Sequence, residues 1–141
     1  LLKDRNSLIL SPIHLENKEE KYFITENQIE VKVPLNLSFC KAADISFDSN
    51  KTIFVDADKL QYPLILRHWN KGDSFQPFGM NGKSKKVSKL FKDEKLSLVE
   101  KENSWLLCSN DEIVWIIGLR QDERFKIENT TTNRLKIQLE E

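Results

Sequence analysis

Glycine is scarce in this chain: four in 141 residues, about 3% against a usual level of roughly 7%. Loops that cradle nucleotide phosphates need several closely spaced glycines, as in G-x-x-x-x-G-K-S/T or G-x-G-x-x-G, and neither pattern occurs. The nearest string, Gly82-Lys83-Ser84, would need its first glycine at position 77, which is Pro77. G-x-S-x-G, H-E-x-x-H and paired C-x-x-C strings are missing as well, so no catalytic, cofactor-binding or metal-ligating residues are expected here. Two cysteines, Cys40 and Cys108, are too few for a disulfide framework, and with only His14 and His68 they make no zinc spacing. Both thiols are expected to be reduced and buried. No run approaches the 18 apolar residues of a membrane span, so no membrane partner is expected. The start, Leu1-Leu2-Lys3-Asp4-Arg5, has neither an initiator Met nor a signal-peptide core, which reads as a piece of a longer cytoplasmic chain.

What is present fits one globular domain. Hydrophobic residues make up 39% and charged residues 31%, and a chain of 141 residues can bury roughly two-thirds of its unfolded surface without metal or disulfide help. Twenty-two basic and 22 acidic residues cancel overall. They are unevenly placed, because between Arg67 and Lys92 seven basic residues face one acid, Asp73, a local excess of six. That asymmetry points to an anion-binding face, with a plainly solvated helix face as the alternative.

Most of the chain reads as strands. Ile29, Val31, Val33, Leu35 and Leu37 alternate with polar residues from Gln28 to Leu37, and Pro34 places that strand at an edge or a break. Leu135, Ile137 and Leu139 alternate as cleanly from Arg134 to Leu139. Thr52–Asp56 and Leu64–Trp69 are two further strands, and Tyr22–Ile24 and Leu8–Leu10, ended by Ser11-Pro12, are weaker ones. Ile113–Ile117 is apolar on both faces, which places it centrally, paired with Trp105–Cys108 across a turn at Ser109–Glu112. The helical exception runs from Lys85 to Asp93. There Val87, Leu90 and Phe91 form an i, i+3, i+4 stripe, Lys85, Lys89 and Lys92 line another face, and Ser84 is the expected N-cap. Ser97 and Glu100 have capping-box spacing for a second helical turn. The expected class is α+β, strand-dominated, with a β-sandwich-like core and one or two short helices.

Three of the four glycines fall between Gly72 and Gly82, in a loop between a strand and the basic helix. There bare N–H groups and the helix start would approach a phosphate closely, with four to six lysines beside them. The run Arg67, Trp69, Gly72, Asp73, Phe75, Pro77, Gly79, Met80, Gly82, Lys85, Lys86, Val87, Ser88 and Phe91 closely resembles the hallmark of the C-terminal domain of the tRNA(Ile)-lysidine synthetase family. Ile113-Val-Trp115, Gly118-Leu-Arg120 and Arg124-Phe-Lys126 resemble its continuation. The likeness is specific over Leu64 to Lys126 and vaguer upstream, where Asp56–Leu60 matches best; the extra basic Lys83-Ser84 departs from the pattern.

The resemblance implies a parent ligase that joins lysine to the wobble cytidine of an isoleucine tRNA with ATP and magnesium. It also implies that this chemistry belongs to an N-terminal domain with an S-G-G-x-D-S loop, a string absent here. By the same resemblance, 1–141 is a single non-catalytic C-terminal domain, with a strand-rich entry half at 1–63 and the hallmark half at 64–141. Its partners are the tRNA(Ile) body and acceptor stem and the enzyme's own catalytic domain.

The expected tRNA-binding residues are Arg67, Lys71, Lys83, Lys85, Lys86, Lys89, Arg120 and Arg124. Duplex RNA is read largely through phosphates and shape, which suits lysines best. Arg67 has a second reading as a partner of Asp73, and Arg120 and Arg124 as partners of Asp122 and Glu123. Trp69, Trp105 and Trp115 read as core residues. Two other function classes remain: a module binding an acidic protein through its lysine row, and a small hydrolase using Asp56, Asp58 and His68, whose spacing defines no mechanism.

Overall fold

The computed structural model describes residues 20–42 and 50–140. The strand expected at Leu8–Leu10 and His14 lie outside the described residues. The first sheet takes strands β1 (Lys21–Ile24), β5 (Leu64–His68), β8 (Trp105–Ser109), β9 (Glu112–Ile116) and β10 (Arg120–Gln121), in that order. The second takes β2 (Glu30–Val31), β3 (Leu37–Lys41), β11 (Arg134–Leu139) and β4 (Thr52–Asp56). A two-stranded ribbon pairs β6 (Ser74–Phe75) with β7 (Lys85–Lys86), and two short helices follow, α1 (Val87–Asp93) and α2 (Leu98–Glu102). Every ladder is antiparallel. The strand-dominated α+β class is thus the observed one.

Alternation decides the layers. Leu64 and Leu66 of β5, Leu107 of β8, and Val114 and Trp115 of β9 join Leu37, Phe39, Ile53, Val55 and Ile137 of the second sheet in one apolar cluster, so the two sheets close over a shared core. The opposite face of the first sheet, with Leu106, Cys108, Ile113 and Ile116, packs against Phe75 and the α1 stripe Val87, Leu90 and Phe91. A bulge explains how β9 serves both. The β8–β9 register slips between Leu107 and Cys108, leaving Val114 without an opposite number, so Val114 and Trp115 both reach the sheet–sheet core while Ile113 and Ile116 face the helix. Each sheet mixes strands from before and after residue 63, since β1 pairs with β5 and β11 lies between β3 and β4.

Three local expectations are corrected. The strand at 28–37 is two strands, because the chain turns through the cis Val33–Pro34 bond, and Ile29 and Val33 are exposed at 72% and 65% instead of facing inward. The helix begins at Val87, not Lys85. Lys85 and Lys86 pair with Phe75 and Ser74 as a strand, and the N-cap position is Lys86 without any side-chain cap, so Ser84 does not serve. Cys40 is exposed on β3, while Cys108 is buried as expected. Burial pushes the Cys108 thiol up to about 11, which keeps it protonated and inert.

Candidate nucleic-acid interface

The hallmark loop is a hairpin anchored beneath by Phe75, which is 1% exposed, and closed by the Ser74–Lys86 and Phe75–Lys85 pairs. At its entry Arg67 makes a two-pronged pair with Asp73, Nη1 to Oδ2 at 2.9 Å and Nη2 to Oδ1 at 3.1 Å. Asp73 also accepts from the Asn70 N–H at 2.7 Å, and its carbonyl accepts from the Val87 N–H at 3.0 Å. Burial lowers the Arg67 pKa, but Asp73 and the neighbouring Cys108 together outweigh it and the net shift is upward, so the guanidinium stays charged against its partner. The pair with Asp73, one of the two readings of Arg67, is formed.

The far side of the loop is tied down by the turn after β10. Asp122, fully buried, accepts from the Gln76 N–H at 2.9 Å and from the Arg124 N–H, Nε and Nη2 at 2.7, 3.0 and 3.0 Å. Gly79, at φ +89°, donates its N–H to Glu123 Oε1 at 3.1 Å, and Arg120 Nη2 donates to the Phe78 carbonyl at 2.8 Å. The N–H groups of Phe78, Met80 and Lys83 donate to the carbonyls of Gln121, Pro77 and Met80. The expectation of bare N–H donors is therefore corrected: at Gln76, Phe78, Gly79, Met80 and Lys83 they are consumed within the chain, and the start of α1 is likewise joined to Asp73. Arg124 pairs with Asp122 as foreseen and with Glu112 instead of Glu123, whose carboxylate meets Lys126 at 2.6 Å.

Positive charge gathers elsewhere, in a groove of about 980 Å³ between α1 and α2. Lys85, Lys86, Lys89, Lys92, Lys95 and Lys101 line it with Met80, Ser84, Ser88 and Leu96, and Asp93 is its one carboxylate. Asp93 bridges two of the lysines, at 2.6 Å from Lys85 Nζ and 3.5 Å from Lys89 Nζ. Its pKa is held below the usual aspartate range by the Lys85 hydrogen bond first, then by the charges of both lysines. Among the described residues Lys86, Lys92, Lys95 and Lys101 make no ion pair. Of the residues expected from sequence, Lys85, Lys86 and Lys89 lie in the groove. Lys71 and Lys83 are exposed outside its lining, and the three arginines hold the loop. Sequence reasoning missed Lys92 as a site residue, although its i, i+7 spacing from Lys85 marked it. It also missed Lys95 and Lys101, which only the turn between the helices brings in.

The remaining candidates have structural partners. Asp56 accepts from the Asp58 N–H and the Thr131 hydroxyl, Asp58 accepts from Asn133, and His68 stacks on Trp105 with ring centroids 3.9 Å apart. Trp69 packs edge-on against Phe91 at 5.2 Å, and Trp115 is fully buried. Among the described residues no three His, Cys, Asp or Glu side chains gather as a metal site, and no helix is long and apolar enough to cross a membrane.

The fold is thus a two-sheet α+β domain whose surface at α1 and α2 carries a lysine-lined groove. The particular family is the TilS substrate C-terminal domain family, to which this chain belongs: the family model matches residues 64–138. The chain is 46% identical over 136 residues to a tRNA(Ile)-lysidine synthase of Parabacteroides distasonis, covering 93% of this chain and 30% of that protein. It is 37% identical over 140 residues to one of Bacteroides thetaiotaomicron, covering 93% and 29%. It thus spans just under a third of the length of these relatives. A crystal structure of a TILS C-terminal domain shares the fold, with a TM-score of 0.69 at 23% identity over 84% of this chain and 95% of that one.

Proposed function

We propose that this chain is the tRNA-gripping C-terminal domain of a cytoplasmic tRNA(Ile)-lysidine synthase, acting as a single unit over 1–141 and carrying no chemistry of its own. In such an enzyme lysine is joined to the wobble cytidine of tRNA(Ile) with ATP and magnesium in an N-terminal domain, changing decoding from AUG to AUA. The domain described here holds the tRNA body and acceptor stem while the distant anticodon is modified. The observation that supports this reading is the lysine groove: six ammonium groups against one carboxylate, on a domain whose relatives carry that enzyme's name. We assign phosphate contacts to the groove lysines, with Lys71 and Lys83 flanking them, and loop-holding to Arg67, Arg120 and Arg124.

The test is a binding titration of a tRNA(Ile) transcript over a range of potassium chloride. Contact with about four phosphates gives a log-log slope near −3 to −4, at roughly 0.7 to 0.9 per contact. The Lys86→Ala, Lys92→Ala double variant removes two exposed lysines without an ion pair, so its melting temperature stays put while affinity falls about equally for different tRNAs and the slope shrinks. An unchanged affinity and slope in the folded double variant refutes the reading and favours an acidic protein partner.

A further inference from the structure

Helix α1 ends in a way that sets one groove lysine apart. The Lys95 N–H donates to the Lys92 carbonyl at 3.0 Å and the Leu96 N–H to the Phe91 carbonyl at 3.0 Å, while Leu96 packs into the cluster under the helix. This is the Schellman arrangement, in which the residue after the cap must enter the left-handed region. Lys95 does so at φ +57°. Glycine is the usual occupant because a Cβ is disfavoured there, and lysine has no short polar side chain to soften the penalty, as asparagine has. A lysine at this position is therefore a local cost to the fold. Its side chain is not recovering that cost through an ion pair among the described residues; it lines the groove instead.

We propose that Lys95 is a phosphate-binding residue, kept at a glycine position because the left-handed turn is what brings its side chain into the lining shared with Lys89 and Lys92. The proposal rests on the RNA-binding reading and names a residue of that site that lies beyond the helix stripe. The same turn leads the chain into α2, whose capping box (Ser97 Oγ from the Glu100 N–H at 3.1 Å, Glu100 Oε1 from the Ser97 N–H at 2.8 Å) fixes the start of the helix that brings Lys101 to the lining. The groove thereby draws lysines from both helices, which suits contact with a phosphate backbone. The competing explanation is purely structural: a cation near the end of α1 steadies the helix dipole.

The two explanations predict opposite signs for Lys95→Gly. Relief of the left-handed strain raises the melting temperature by about 2 to 5 °C, whereas loss of a dipole partner lowers it. Under the proposal Lys95→Gly also weakens binding of a tRNA(Ile) transcript about threefold to tenfold and makes the salt slope less negative by about 0.7 to 0.9. Lys95→Arg keeps affinity within about twofold, because any cation at that position meets a phosphate. All variants are measured in the full 141-residue chain beside the Lys86→Ala, Lys92→Ala double variant. A lower melting temperature for Lys95→Gly, or unchanged affinity when the double variant binds weakly, overturns the proposal and leaves the RNA reading standing. Unchanged affinity in the double variant overturns both.

Discussion

The two faces of the five-stranded sheet are closed in different ways. Toward the second sheet, strands from both ends of the sequence interdigitate over a broad apolar layer in which Leu64, Leu66, Leu107, Trp115 and Ile137 are all fully buried. Toward α1, closure rests on one helix of seven residues with three buried side chains, Val87, Leu90 and Phe91, together with Phe75 of the hairpin. A helix that short has no stability of its own in water, so its packing is what holds it. Its outer surface carries Lys89 and Lys92. The lesson is that on one face stability and the candidate function are separate matters, and on the other the same three apolar residues serve both.

Phe91→Ala and Ile137→Ala sharpen that contrast most. Removing the Phe91 ring leaves a cavity costing about 3 to 5 kcal/mol, and Ile137→Ala costs about 2 to 5 kcal/mol, both readable by urea denaturation. At temperatures where both variants remain folded, only Phe91→Ala is expected to lose RNA affinity, since only it unseats the lysines. Equal binding losses would erase the distinction between the faces.

The next effect tests the loop that joins them. Asp122→Ala strands the Gln76 and Arg124 N–H groups and takes one of two carboxylate partners from the Arg124 guanidinium, which keeps Glu112 and is 29% exposed, so the loss is about 2 to 4 kcal/mol. Amide exchange at Gln76 and Gly79 should rise well before exchange in β8; uniform acceleration would mean that Asp122 supports the whole sheet. Smallest is Ser97→Ala, which removes one arm of the capping box and costs about 1 kcal/mol. Because α2 buries none of its residues, the change should fray that helix while leaving both cores intact.

Acid should act on the same loop. The Glu123 carboxyl is held below the usual glutamate range by Lys126 first and by the Gly79 N–H second. A depressed folded pKa contributes stability that is present above the unfolded value and lost as pH falls through the folded one. Melting temperature should therefore decline on acidification through and below the ordinary carboxylate range, and Glu123→Gln should flatten that decline.

Much of this was legible along the chain because it is local. Period-2 alternation located β11, short apolar runs located β4 and β5, a run apolar on both faces located β9, the i, i+3, i+4 stripe located α1, and Ser97 with Glu100 located the start of α2. Where the reading failed, a distant partner outvoted a local pattern. Ile29 and Val33 alternate perfectly, but β2 is a two-residue edge strand that ends before Pro34. Lys85 fits the helix period, but β6 claims it as a strand partner. The loop suggested open N–H donors, but Asp122 and Glu123, more than forty residues away, take those of Gln76 and Gly79.

By itself, then, the sequence determined the strand-rich class, the apolar stripe of α1, the local excess of positive charge and the membership of a family, since each depends on residue type at short fixed spacings. Only the tertiary structure decided which cations stand together. Ion pairs with Asp73, Asp122 and Glu112 withdraw Arg67 and Arg124, and a backbone contact engages Arg120. The reversal at Lys95 then brings Lys101 to the groove. The physical reason is that charge acts through space: a net excess can be counted along the chain, but whether an ammonium group is free to meet a phosphate depends on which carboxylate folding has brought beside it.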